Sequence, residues 1–231
     1  MALCRALGLA VAQTEMLALE DDLLVLSVER FDRHLDGKGR LLRLPQEDLC
    51  QALGVPPTGK YESEGGPGIV DGLSLLKASD HAATDQRAFM KAQIVFWLIG
   101  ATDGHAKNFS LFLAPQGRFH MTPLYDILST QWQHDRGQIR RNAFRLSMVI
   151  GNKRRYKVTE ILPRHFEQTA KQAGFSLQTL RTVMEEIVSD LPRAAATLTA
   201  QLDERIPTAM AEVIFSAASQ RAEQIEIYLN I

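Results

Sequence analysis

An apolar helix that runs through a polar loop into a β-hairpin is the feature that most constrains this chain. The pattern over Asp85–Ile99 predicts a helix whose second half is apolar on every side and therefore buried, and Gly100 is expected to end it. Phe109–Leu113 and Arg118–Leu124 are predicted strands, and the Pro and Gly between them indicate a hairpin turn. The buried helix should therefore hold the polar loop at the open end of a rigid two-stranded unit.

The expected register of this hairpin brings two oxygen-bearing side chains together. Pairing Leu113 with Arg118 places Asn108 roughly opposite Pro123, with Asp126 just beyond the same open end. Cross-strand neighbours lie about 4.5–5.5 Å apart. Asn108 and Asp126 are therefore expected to be close enough to share one metal ion.

The order of polar residues in this stretch matches the catalytic apparatus of protein kinases. There an Asp, here Asp103, takes the proton of the attacking hydroxyl, while an Asn five residues later and a second Asp hold the Mg²⁺ that bridges the ATP phosphates. His105 and Lys107 are expected to add donors beside the transferred phosphate. Asp103 or Asn108 alone is explained equally well as a turn residue, so the hypothesis depends on the complete set.

Several segments, in this order along the chain, resemble one known family. They are Leu44-Pro-Gln-Glu-Asp-Leu-Cys-Gln-Ala-Leu-Gly, Lys60-Tyr-Glu, Gly65-Gly-Pro-Gly, Gly100-Ala-Thr-Asp-Gly-His-Ala-Lys-Asn-Phe-Ser and Pro163-Arg-His-Phe. Together they resemble the HipA-type serine/threonine kinase toxins, and the resemblance covers almost the whole chain.

The resemblance implies an α+β fold that is mostly α. It is the C-terminal lobe of a protein-kinase-like fold, with a hinge strand and a catalytic β-hairpin followed by a helical bundle. All of 1–231 would form one domain, divided into hinge strands (1–33), a helical and loop part (34–99), the catalytic hairpin (100–130) and a helical part (131–231).

The same resemblance implies ATP and Mg²⁺ as cofactors. Asp103 would be the catalytic base, and Asn108 and Asp126 would hold the metal. The other ATP-binding residues would be Glu29, Arg30 and Phe31 at the adenine hinge, with His105, Lys107 and Tyr125 lining the site. On strand propensity alone, the hinge segment is equally well explained as an ordinary edge strand.

The family also implies partners. These are a HipB-like helix-turn-helix antitoxin and a protein substrate, which by resemblance would be an aminoacyl-tRNA synthetase. DNA would be met only through the antitoxin complex, with Lys171 as the candidate contact in the helix that follows Pro163-Arg-His-Phe.

Composition excludes several other classes of protein. The 231 residues carry a net charge of −1, which argues against a protein that coats nucleic acid by bulk charge. Cys4 and Cys50 are the only cysteines and cannot build a disulfide framework, so a reducing cytoplasm is expected. No apolar run approaches the roughly 18–20 residues of a membrane span.

Turn and periodicity signals predict the remaining elements. In the first half, we expect a helix at Leu3–Leu7 ended by Gly8, strands at Thr14–Leu19 and Leu23–Phe31 around an acidic turn at 20–22, a helix at Pro45–Leu53, a Gly- and Pro-rich loop at Val55–Gly68, and a helix at Ile69–Lys77. In the second half, we expect an exposed mobile loop at Gln131–Arg141, a solvated basic run at Asn152–Lys157, and helices at Pro163–Ala173, Ser176–Ser189, Pro192–Asp203 and Thr208–Tyr228.

The N-terminal part of the sequence bears on the expected activity. No lysine precedes Lys38, whereas family members carry a phosphate-covering loop and an ATP-binding lysine upstream of the resembling part. We therefore expect the chain to begin in mid-domain and to come from a truncated gene or a split protein. Its kinase activity alone is expected to be weak or absent.

Two other functions remain open from the sequence. The first is a non-catalytic interaction module that binds a helix-turn-helix antitoxin. The second is a metal-dependent phosphohydrolase built on Asp103, His105, His120 and Asp126.

Overall fold

The computed structural model describes residues 1–19 and 23–231, so the predicted acidic turn at 20–22 lies outside the described residues. The helices are α1 (Ala2–Ala6), α2 (Leu49–Ala52), α3 (Ile69–Leu76), α4 (Ala82–Ile99), α5 (Gln131–Asp135), α6 (Pro163–Ala173), α7 (Leu177–Ala200) and α8 (Thr208–Leu229). The strands are β1 (Thr14–Ala18), β2 (Leu24–Val28), β3 (Arg33–Leu35), β4 (Leu41–Arg43), β5 (Gln46–Asp48), β6 (Ser110–Ala114), β7 (Arg118–Met121), β8 (Arg145–Ile150) and β9 (Arg155–Lys157).

The strands form small antiparallel sheets around a mainly helical body. β1 pairs with β2, β3 with β4, and β8 with β9, while β5, β6 and β7 form a three-stranded sheet in that order. The predicted α+β class with mostly helical content is confirmed. Among the described residues, no helix has the length and apolar character needed to cross a bilayer.

Helix α4 is the centre of the core, as its apolar pattern predicts. Every residue from Phe89 to Ile99 is buried, and α4 packs against α3, α7 and α8. Trp97 is fully buried and its Nε1 donates to the main-chain oxygen of Val158 at 3.2 Å, so the prediction of a core role is confirmed. The predicted start at Asp85 is wrong, because the helix begins at Ala82. The buried carboxylate of Asp85 accepts instead from Ser79 and from the main-chain nitrogen of Met121.

The predicted hairpin forms, but its predicted register is wrong by one residue. Ala114 lies opposite Arg118, and Leu113 lies opposite Phe119. The loop holds only Pro115–Gly117, because Gln116 and Gly117 both adopt left-handed φ angles, of 66° and 72°, and so close a tighter turn.

Strand β7 also ends at Met121, before the predicted Leu124. Leu124 leaves the hairpin and forms a parallel bridge with Val11, its nitrogen donating to the main-chain oxygen of Ala10 at 2.9 Å. This bridge ties the N-terminal segment to the chain immediately before Asp126.

The predicted helix at Pro45–Leu53 is only partly correct. Its first half is β5, which pairs with β6, and only Leu49–Ala52 is helical. Asp48 ends the strand and caps the helix, because its Oδ1 accepts from the nitrogen of Gln51 at 2.9 Å while Gln51 Oε1 accepts from the nitrogen of Asp48 at 3.0 Å.

Two predictions for the C-terminal part are wrong. Helix α7 runs without interruption past Pro192, although proline in a helix interior costs about 3 kcal/mol. Its buried face, which includes Leu191 and Ala194, packs on neighbouring helices and offsets that cost. The predicted mobile loop at Gln131–Arg141 begins with the short helix α5, and Gln131 is buried.

The basic run divides between loop and strand. Residues 152–154 are exposed, as expected for a solvated run, but Arg155–Lys157 forms β9 and Tyr156 within it is buried. Helix α6 has the predicted bounds, Pro163–Ala173.

Candidate active site

Tight packing at two glycines fixes the position of the polar loop that follows α4. Gly100 has a left-handed φ of 64°, and a Cβ at this position would lie 2.5 Å from the ring of Phe144. A Cβ on Gly104 would lie 2.5 Å from the ring of Phe96. The nitrogen and hydroxyl of Thr130 both donate to the main-chain oxygen of Gly100, at 3.0 and 3.1 Å. The loop is therefore held between the helix and the segment that follows Asp126.

Asn108 and Asp126 lie together, as the sequence predicts. The Nδ2 of Asn108 donates to Asp126 Oδ2 at 3.1 Å and to the main-chain oxygen of Asp126 at 3.2 Å. Asn108 is buried, whereas Asp126 is exposed. Asp126 has a left-handed φ of 54°, a strained conformation for a residue other than glycine and one that is frequent at functional sites.

The chemistry of this pair fits Mg²⁺. The Oδ1 of Asn108 is buried and has no hydrogen-bond partner within the described part of the chain. Such an amide oxygen beside an exposed carboxylate matches the hard oxygen ligands of Mg²⁺, an ion that takes few protein ligands and retains several waters.

The four-residue metal set of the phosphohydrolase hypothesis is not assembled. The imidazole of His120 packs against the rings of His81 and Phe112, at 5.2 and 5.4 Å between centroids. Residues 1–19 and 23–231 contain no group of three or more His, Cys, Asp or Glu placed to hold a metal ion. The described residues therefore do not form the metal set on which that hypothesis depends.

Asp103 lies in the polar loop after α4, and its side chain is 48% exposed. Its Oδ1 accepts a hydrogen bond of 2.9 Å from the hydroxyl of Tyr61. The Nε2 of His105 is 3.8 Å from the same oxygen, too far for a hydrogen bond. A half-exposed carboxylate with one anchored oxygen can still take a proton from a substrate.

His105 is buried beside Asp103. Burial lowers the pKa of its imidazole, so the ring is neutral at neutral pH and offers one N–H donor. Its Nδ1 has no hydrogen-bond partner in the described residues, and its ring contacts the ring of Tyr61 edge-on at 5.2 Å.

Tyr61 is the residue of this site that sequence reasoning missed. The Gly- and Pro-rich pattern of Val55–Gly68 indicated only a loop, and Tyr61 is 42 positions from Asp103. The available signal was Lys60-Tyr-Glu, one of the segments that carry the family resemblance.

Lys107 is already paired within the protein. Its Nζ lies 3.1 Å from Asp48 Oδ2, at the start of α2, and its side chain is 35% exposed. The pair therefore connects the loop before β6 to the junction between β5 and α2.

Tyr125 joins the hairpin to the candidate hinge. Its hydroxyl donates to the main-chain oxygen of Lys107 at 2.8 Å and lies 2.5 Å from Ser110 Oγ. Burial raises the pKa of this phenol to about 12, so it stays protonated. Its ring lies 5.3 Å from the ring of Phe31.

The three hinge candidates and Tyr125 line one cleft of about 350 Å³. Glu29, Arg30 and Phe31 follow β2, together with Asp32. Arg30 binds both carboxylate oxygens of Asp32 and, with Arg33, lowers the pKa of that carboxyl to about 2. The predicted adenine-binding segment therefore meets Tyr125, which follows the hairpin, at a shared cleft.

Lys171 is not among the residues that contact one another in this arrangement. It lies on α6 with its side chain 60% exposed and pairs with Glu167 one turn earlier. The structure thus brings together all the predicted site residues except Lys171.

Comparisons with known proteins agree with this architecture. The family model described as the HipA-like C-terminal domain matches residues 1–195. The putative kinase Y4mE of Sinorhizobium fredii is 38% identical over 197 residues, which are 85% of this chain and 44% of that protein. The serine/threonine-protein kinase toxin HipA of Shewanella oneidensis is 32% identical over 226 residues, covering 93% of this chain and 46% of the relative.

Solved structures show the same fold. HipA of Shewanella oneidensis, in a complex with HipB and its operator DNA, superposes with a TM-score of 0.86 at 24% identity, over 100% of this chain and 56% of that one. The proinflammatory kinase CtkA of Helicobacter pylori gives a TM-score of 0.64 at 13% identity, over 98% of this chain and 78% of that one. The chain therefore shares the fold of these two proteins.

The chain spans about half the length of the curated relatives that it matches, 44% and 46%. The family match nevertheless covers most of its residues, and it agrees with the arrangement of loop, hairpin and helices. This chain belongs to the HipA-like C-terminal domain family.

Proposed function

We propose that this chain carries the catalytic part of an ATP-dependent serine/threonine protein kinase of the HipA toxin type. The observation that carries the proposal is the contact of 3.1 Å between the amide of Asn108 and the carboxylate of Asp126. The contact is made by Nδ2 of Asn108, and it holds the amide, whose Oδ1 is left without a partner in the described residues, beside the carboxylate. The two side chains that would supply hard oxygen ligands therefore lie together, with Asp103 in the loop that leads to them.

Each residue has a distinct role in this proposal. Asp103 accepts the proton of the substrate hydroxyl through the carboxylate oxygen that Tyr61 does not bind. His105, neutral because of its burial, donates an N–H toward a phosphate oxygen. Asn108 and Asp126 would hold Mg²⁺, which supplies charge neutralisation for phosphoryl transfer when bound with ATP.

The cleft at the hinge is the proposed adenine site. Phe31 and Tyr125 give it two adjacent aromatic rings, and Glu29 and Arg30 also line it. Lys107 would have to leave Asp48 to meet a phosphate. We therefore expect weak phosphate binding by this chain alone.

One solved neighbour supports the proposed antitoxin partner. The Shewanella HipA structure is a complex with HipB and operator DNA. We propose a HipB-like antitoxin as partner, an aminoacyl-tRNA synthetase as protein substrate, and DNA contact only within the antitoxin complex. The exposed ammonium of Lys171 is the candidate DNA contact, and the cytoplasm is the proposed compartment.

Titration calorimetry with Mg-ATP tests the proposed site. Wild-type protein should release heat that Asp126→Ala abolishes, because the substitution removes a metal ligand. The control is Asp190→Ala, which removes a partly exposed carboxylate on α7, outside the candidate site, and should leave binding unchanged. Equal Mg-ATP binding by wild type and Asp126→Ala would rule out the proposed metal site.

The non-catalytic interaction module remains the second candidate. The ion pair between Lys107 and Asp48 favours it, because that lysine is not free for a phosphate. This reading predicts tight binding of a helix-turn-helix antitoxin with no heat from Mg-ATP. The kinase reading predicts heat from both.

A further inference from the structure

We propose that Tyr61 is a positioning residue that holds Asp103 in the orientation needed to accept a proton. The inference rests on the proposed kinase function and adds to it a residue from a different part of the chain. The hydroxyl of Tyr61 donates to Asp103 Oδ1 at 2.9 Å and leaves Oδ2 available to the substrate.

Asp103 needs an external anchor. Its side chain is 48% exposed, and in the described residues the phenol of Tyr61 supplies its one side-chain hydrogen bond. An exposed aspartate otherwise samples several χ1 rotamers. Fixing one oxygen reduces that freedom before the substrate arrives, which is the advantage of a preorganised catalytic group.

Tyr61 is itself fixed by its loop. Its main-chain oxygen accepts from the nitrogens of Glu64 and Gly66, at 3.0 and 2.9 Å. A Cβ on Gly66 would lie 2.1 Å from the main-chain oxygen of Gly59, so the loop closes tightly at this point.

Strand β8 anchors the same loop from the other side. The carboxylate of Glu62 accepts from the nitrogen of Val149 at 2.7 Å, and a Cβ on Gly68 would lie 2.4 Å from that carboxylate. A continuous set of contacts therefore runs from β8 through Glu62 and Tyr61 to Asp103.

Two further contacts orient the phenol ring. The ring of His105 meets it edge-on at 5.2 Å, and the ammonium of Lys60 lies 4.9 Å from its centroid. Burial raises the pKa of Tyr61, so the hydroxyl remains a donor across the neutral range.

In the transfer step, the bond from the substrate oxygen to the γ-phosphorus forms as the bond to the leaving ADP oxygen breaks. The hydroxyl proton passes to Asp103 Oδ2. Tyr61 exchanges no proton in this step and only keeps Oδ1 in place.

The test compares Tyr61→Phe with Tyr228→Phe. Tyr228 also donates its hydroxyl to a carboxylate, that of Glu167, but at the C-terminal helices. Both substitutions therefore remove one phenol-to-carboxylate hydrogen bond, and only Tyr61→Phe removes it at Asp103. Two measurements are made on the full chain: turnover with Mg-ATP, and the three-bond NMR couplings that report χ1 of Asp103.

We expect Tyr61→Phe to lower kcat about tenfold at an unchanged KM for ATP, as loss of one hydrogen bond to a charged group predicts. The Asp103 couplings should change from those of one rotamer to averaged values, and Tyr228→Phe should alter neither measurement. Unchanged Asp103 couplings in Tyr61→Phe overturn the inference. Altered couplings in a chain that transfers no phosphate and releases no heat with Mg-ATP support the positioning contact and count against the proposed function.

Discussion

The guanidinium of Arg221 on α8 donates to the main-chain oxygen of Leu98 at 2.6 Å, one residue before α4 ends. A second nitrogen donates to Gln131 Oε1 at 2.8 Å, in the segment that follows Asp126. Arg221 therefore clamps α8 to the two segments that flank the candidate site, the end of α4 and the start of α5. Its burial lowers its pKa to about 10, so it remains charged at neutral pH.

Replacement of this clamp should destabilise the fold. Arg221→Met keeps most of the apolar stem but leaves the oxygens of Leu98 and Gln131 without their donor. We expect a loss of about 2–4 kcal/mol in the free energy of unfolding, measured by urea denaturation. The control is Arg193→Met, an 81% exposed position where little change is expected. Equal stability of the two variants would show that Arg221 is not a structural clamp.

Asp126 should show a conflict between stability and ligand binding. Its φ of 54° suits glycine better than any residue with a Cβ. We expect Asp126→Gly to be about 1 kcal/mol more stable than Asp126→Ala, with both variants unable to bind Mg-ATP. Thermal unfolding and calorimetry measure the two effects separately. Identical melting of both variants would exclude backbone strain at this position.

The approach of Gly104 to Phe96 predicts strict intolerance of a side chain. In Gly104→Ala the new Cβ would lie 2.5 Å from the ring, so either the ring or the loop must move. We expect a loss of about 1–3 kcal/mol in the free energy of unfolding. Gly37→Ala is the control, because nothing lies within 4 Å of its Cβ. A tolerated alanine at 104 with an unshifted loop would contradict this account.

Asp32 should make stability depend on pH near the hinge. Hydrogen bonds from Arg30 and Arg33 lower its pKa from 3.8 to about 2. The unfolded chain therefore binds the proton more readily, and the stabilisation is complete above about pH 4 and lost as the pH falls toward 2. Between those values the melting temperature of the wild type should fall more steeply than that of Asp32→Asn. Parallel curves would show that the ion pairs contribute nothing.

The local sequence pattern was sufficient to predict the elements that depend on contacts between residues close together in the sequence. The apolar faces of α4, the left-handed stop at Gly100 and the bounds of α6 all follow from helix periodicity and capping. The prediction that Asn108 lies near Asp126 was correct despite a register error of one residue, because both residues lie beyond the open end of the hairpin.

Long-range pairing decided the rest. Gln46–Asp48 has a helical pattern but forms a strand, since the free edge of β6 offers it hydrogen bonds. The bond from Tyr61 to Asp103 spans 42 residues and the pair of Lys107 with Asp48 spans 59. Sequence by itself determined which groups could perform phosphoryl chemistry and which helix would support them. Only the tertiary structure decided which side chain binds Asp103, the proposed base, because such contacts depend on how separate elements pack and no local period encodes them.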